Sequence, residues 1–68
     1  MTQYYVNQNQ QTEGEHEVHV EGCDFIPFEK DLLELGRHTD CSSAIEVARN
    51  TYDEVDGCKH CCPDCNTT

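Results

Sequence analysis

The stretch HEVHVEGC, residues 16–23, alternates and then stops. Val18 and Val20 fall on one side of an extended chain, Glu17, His19 and Glu21 on the other. That period of two predicts a strand over 16–21, ended by Gly22. The same stretch closes with His19 and Cys23, an H-x3-C pair at a strand end where Gly22 lets the backbone turn. A strand that finishes in half a metal site needs the other half elsewhere. GCKHCCPDC, residues 57–65, supplies it.

Within that second stretch, Cys58 and Cys61 stand as C-x2-C, a spacing that lets two sulfurs of one tight turn converge on a single ion. Zinc takes four Cys or His ligands in a tetrahedron, so His19, Cys23, Cys58 and Cys61 form the expected ligand set for one Zn2+ per chain. Cys65, Cys41 or Cys62 are the alternatives for one of these positions. Cys62 and Cys65 repeat the C-x2-C spacing, but four cysteines crowded into residues 58–65 would need a strained loop to share one ion. Cys41 reads first as a small core residue, and Cys62 as facing core or solvent. His60 reads as solvated, His38 as exposed, and His16 as a surface residue or a support behind the ligands. HEVH lacks the i, i+4 histidines of a helical metalloprotease motif, and no catalytic residues are assigned.

The rest of the chain is read around these two halves. Residues 3–6, QYYV, suit a short strand that pairs with 16–21. Residues 7–15, NQNQQTEGE, carry no apolar side chain and read as a flexible loop. KDLLELG, residues 30–36, fits a short strand or one helical turn stopped by Gly36. Cys41, Ala44, Ile45, Ala48, Tyr52 and Val55 follow a helical stripe, predicting one main helix over about 41–55. Ser43 and Glu46 match a capping box at its start, with Asp40 or Ser42 as other caps, and Gly57 is placed to end it. Residues 66–68 read as a frayed tail. The expectation is one α+β domain over 1–68, with a short antiparallel sheet of two or three strands.

Sixty-eight residues with few large apolar side chains give a core too small to stand alone, so a staple is expected. The charge excludes other readings. Fourteen acidic residues against four basic ones, net −10, leave no basic surface for phosphates or an anionic membrane. No apolar run is long enough to span a bilayer, and the N-terminus shows no secretory signal. A cytoplasmic protein is expected, where thiols stay reduced and a cysteine cluster binds metal. A monomer is expected as well.

Several segments together resemble a group of small uncharacterised bacterial proteins: QYYVN, HEVHVEGC, Leu35–Gly36, C-x2-A-x3-A over 41–48, and DGCKHCC over 56–62. That group's ending carries a final histidine where this chain has Asn66. The order H-x3-C, helix, G-C-x2-C is also similar, more distantly, to the metal-binding domain of Ada-type DNA-repair proteins. The resemblance implies one zinc in a small α+β fold. The Ada-type reaction, methyl transfer from a DNA phosphotriester to a zinc-bound cysteine, would need a basic surface that is missing here. The leading expectation is a non-enzymatic zinc module that binds a protein partner. The alternatives are an acidic decoy that mimics nucleic acid before a basic partner, and a thiol redox sensor or metal carrier using the C-x2-C pairs.

Overall fold

The computed structural model describes residues 1–67. Among them, four strands form one mixed sheet and a single α-helix lies across it. The strands are β1 (Thr2–Asn7), β2 (His16–Val20), β3 (Leu32–His38) and β4 (Val55–Gly57), and the helix is α1 (Cys41–Ala48). The sheet order is β3-β1-β2-β4. β1 pairs antiparallel with both β2 and β3, while β4 runs parallel to β2. The α+β class holds, with more strands than the expected two or three and one parallel pairing.

The β1–β2 hairpin sets Tyr4 opposite Val20 and Val6 opposite Val18. Tyr4, Val6 and Val18 are buried against Ala44, Ile45 and Ala48 of α1, with Leu35 beside them. Val6 and Val18 are fully buried, each worth about 1.5–3 kcal/mol. Ala44 and Ala48, both at 0% exposure, let the helix backbone come close to the sheet.

KDLLELG divides: Lys30 and Asp31 end a short 3-10 turn, Glu29–Asp31, and the strand starts at Leu32 and runs on past Gly36. Leu32–His38 pairs with β1, and the register shifts between Tyr4 and Tyr5, where Leu35 is the extra residue of a bulge. Gly36 sits there at φ 87°, a conformation that favours glycine.

The helix is shorter than the 41–55 expected. Asp40 caps it, accepting from the Ser42 N–H at 3.0 Å, and it ends at Ala48 with Arg49 as cap. Ser43 is not the cap, because its hydroxyl pairs with His38 Nδ1 at 2.8 Å. After Ala48 the chain turns, with the Thr51 and Tyr52 N–H groups both donating to the Ala48 carbonyl. Val55 then enters β4. Tyr52 and Val55 do belong to the inner stripe, but they reach the core by a turn and a strand. Periodicity reports which residues face inward; here an open edge on β2 took the last of them as strand. Gly57 accordingly ends no helix. It lies in β4, where an added Cβ would come within 2.8 Å of the Cys62 carbonyl oxygen and of Cys65 Cβ.

The segment read as a loop, 7–15, contains a turn closed by Gln11 N–H to the Glu15 carbonyl at 2.7 Å and Gly14 N–H to the Gln11 carbonyl at 2.9 Å. At the C-terminus, Asn66 Nδ2 and the Thr67 N–H and hydroxyl donate to the buried Asp56 carboxylate. Residue 68 of the expected frayed tail lies outside the described residues.

Candidate metal centre

The parallel β2–β4 pairing builds the site. Glu17 lies beside Asp56 and Val18 beside Gly57, and the Cys58 N–H extends the ladder to the Val18 carbonyl at 2.9 Å. Side chains alternate along each strand, so Glu17 and His19 of β2 share the sheet face opposite the helix with Asp56 and then Cys58. The end of β4 thereby sets Cys58 beside His19.

The other two members come from turns. After β2 the Cys23 N–H donates to the Val20 carbonyl at 3.2 Å, which folds Cys23 back toward the strand end. Beyond β4 the Cys62 N–H donates to the Cys58 carbonyl at 2.7 Å, closing the C-x2-C turn that returns Cys61. One ligand atom from each of His19, Cys23, Cys58 and Cys61 lies within 4.8 Å of the other three. His19 and Cys58 are each 1% exposed and Cys23 9%, while Cys61 is half-buried.

The orientation of His19 is specific. Nδ1 lies 3.8 Å from Cys61 Sγ, close to the roughly 3.5 Å between N and S ligands of a tetrahedral zinc. Nε2 lies 3.2 Å from Glu17 Oε1. Burial lowers the His19 pKa and favours the neutral ring. The Val20 N–H points at Cys61 Sγ at 3.4 Å, a contact that favours thiolate. Burial nevertheless pushes the Cys61 thiol well up, helped by hydrogen bonding with Cys23, so without a cation this sulfur keeps its proton. A divalent ion reverses that balance, because a coordinating thiol is deprotonated outright. Three sulfurs and one imidazole nitrogen are the donors zinc accepts, and four protein ligands would fill its tetrahedron. Other thiophilic ions fit the same donors.

Glu17 is half-buried, and its pKa is raised by burial and then by the Asp56 and Glu15 carboxylates, against the opposing pull of His60 and Lys59.

The remaining cysteines separate from this cluster. Cys41 and Cys65, two of the three alternative ligands, are joined to each other in a disulfide. That departs from the expectation of reduced thiols throughout. Their partnership is not visible in spacing, because 24 residues separate them and only the crossing of α1 over the sheet brings them together. Cys62 is a free, buried thiol in the core cluster, with its side chain in hydrogen-bonding reach of its neighbour Cys61.

The histidines outside the cluster depart in part from expectation. His60 is exposed as expected, and its ring stacks on Phe25 at 3.8 Å beside Cys23 and Cys61. His16 is buried rather than on the surface. It stacks on Tyr52 at 3.7 Å, and its Nδ1 meets the Asn7 carbonyl. His38 is half-buried, bridging Ser43 and the Leu35 carbonyl to lock β3 to the start of α1. Glu17 was not singled out in the sequence; its i, i+2 relation to His19 on one strand is the signal that could have found the contact. Among the described residues, no helix is long and apolar enough to cross a membrane. Neither protein-family models, nor curated proteins, nor solved structures give a match to this chain.

Proposed function

We propose that His19, Cys23, Cys58 and Cys61 hold one structural zinc ion, and that the protein is a non-enzymatic module that presents its surface to a protein partner. The observation that carries this reading is the convergence of those four side chains within 4.8 Å, drawn from a strand end, a turn and a knuckle far apart in sequence. Four protein ligands leave no open position for a water or substrate, so the ion's work is to hold the fold. It ties the β2 end to the β4 end, where the sheet has its shortest strand. The apolar side chains of Phe25 and Phe28, 57% and 78% exposed, lie in the loop next to Cys23 and suit contact with another protein.

The test is zinc content followed by chelation. Protein prepared without chelator should carry one zinc per chain. Removing it should unfold the β2–β4 half, because metal binding and folding share one free energy. Retention of full secondary structure and thermal stability by metal-free protein would overturn a structural role. No activity depends on the ion in this reading, so a zinc-dependent hydrolase or transferase activity would also overturn it.

A further inference from the structure

We propose that Glu17 is a positioning residue for the metal centre: its carboxylate holds the Nε2–H of His19 and thereby commits Nδ1 to the ion. The inference rests on the metal-centre reading and adds to it the choice of ligand atom and the group that makes the choice.

The geometry carries it. Neutral imidazole has one N–H and one lone pair, and which nitrogen keeps the proton is set by the partner the other nitrogen meets. Here the two sides of the ring face different chemistry. Nε2 is 3.2 Å from Glu17 Oε1, and an ionised carboxylate only accepts. Nδ1 is 3.8 Å from Cys61 Sγ, on the side where the sulfurs gather. The proton therefore resides on Nε2 and the lone pair on Nδ1 points into the cluster. The ring is 1% exposed, so water does not compete for either nitrogen.

Strand architecture makes the contact a built feature. Glu17 and His19 are i and i+2 on β2, so the pleat sets them on one face without any loop to order. Asp56, directly across the parallel pairing from Glu17, is engaged with Asn66 Nδ2 and with the Thr67 N–H and hydroxyl. Glu17 is left to serve the histidine. A carboxylate on the far nitrogen also makes the ligating nitrogen more basic, and loss of such a partner typically lowers metal affinity 10–100-fold.

The experiment uses the full chain, anaerobic and without reductant, so that the Cys41–Cys65 disulfide stays formed. Wild type, Glu17→Gln, Glu17→Ala and Glu13→Gln are titrated with Co2+, which reports thiolate charge-transfer and tetrahedral bands, and Zn2+ is then used to displace it. In parallel, long-range proton–nitrogen NMR reads the His19 tautomer in the metal-free proteins. Glu17→Ala should weaken Co2+ binding about 10–100-fold and mix the His19 tautomers. Glu17→Gln keeps an acceptor oxygen, so it should retain the Nε2–H tautomer with a smaller loss, under about tenfold. Glu13→Gln removes an exposed charge from the same region and should bind as wild type, which separates the Glu17–His19 contact from general attraction by negative charge.

Wild-type affinity in both Glu17 variants, or an Nδ1–H tautomer in wild type, would overturn the role of Glu17 while leaving the metal centre standing. Failure of wild type to bind one Co2+ would overturn the metal centre; the tautomer in the metal-free chain would still decide whether Glu17 orients the ring. Should Glu17→Ala misfold, the near-isosteric Glu17→Gln keeps the test decisive.

Discussion

At the scale of single residues, two neighbouring cysteines are sent to opposite fates. Cys61 is one of the four side chains that gather around His19 and Cys23, whereas Cys62 is buried in the core cluster, still within hydrogen-bonding reach of Cys61. Their substitutions should therefore separate metal binding from stability. Cys61→Ser removes a proposed direct ligand and should lower Co2+ affinity more than about 100-fold, beyond what loss of a supporting partner costs. Cys62→Ser should keep one zinc per chain but lose about 1–3 kcal/mol of stability, because a hydroxyl replaces a thiol in an apolar site. Metal stoichiometry and denaturant unfolding on the two variants check both. The candidate ligands were legible because H-x3-C and C-x2-C are local spacings with a direct coordination meaning. Glu17, though it shares a face with His19 by simple alternation, was hidden among fourteen acidic residues, most of which carry no such partner in the pattern.

At the scale of elements, the informative departure lies after Ala48. The stripe through Cys41, Ala44, Ile45, Ala48, Tyr52 and Val55 reads as one helix because all six face the core. Sequence periodicity cannot see that β2 has an unpaired edge, and a parallel strand of three residues is too short to announce itself. The helix start was legible only in part: Asp40, an alternative beside Ser42 to the Ser43–Glu46 capping box, is the cap, and three nearby polar residues could each have served. β4 then has two duties: it pairs with β2, and Gly57 lets the Cys58–Cys65 segment fold against it. Gly57→Ala places a methyl group 2.8 Å from a backbone oxygen and from Cys65 Cβ. The expected loss is about 1–3 kcal/mol of stability, as for other overpacked sites, with weaker zinc retention, since Cys58 follows directly. Gly22→Ala is the useful contrast. An added Cβ there meets nothing within 4 Å, so its penalty comes from the φ of 87° alone. Thermal unfolding of the two variants, with zinc measured before and after, tests the distinction.

At the scale of the whole molecule, a small core has one covalent staple and a candidate for a second. The candidate metal centre joins the ends of β2 and β4 on one sheet face. The Cys41–Cys65 disulfide joins the start of α1 to the turn Pro63–Cys65 on the other. The sequence implied a need for a staple through its length and sparse apolar content, but not that a disulfide would supply one. Pairing Cys41 with Cys65 required knowledge of how the helix crosses the sheet. Closing a loop of this length contributes about 3–4 kcal/mol in the chain-entropy account. Mild reduction, or the double substitution Cys41→Ala with Cys65→Ala, should lower stability by about that much while leaving one zinc bound. Loss of zinc together with the disulfide would show that the two staples are coupled.

The most direct measurement is X-ray absorption at the zinc edge on protein loaded with one equivalent of zinc. The account predicts three sulfurs at about 2.3 Å and one imidazole nitrogen at about 2.0–2.1 Å. A shell of four sulfurs, one dominated by oxygen and nitrogen, or a sample that retains no zinc would contradict it.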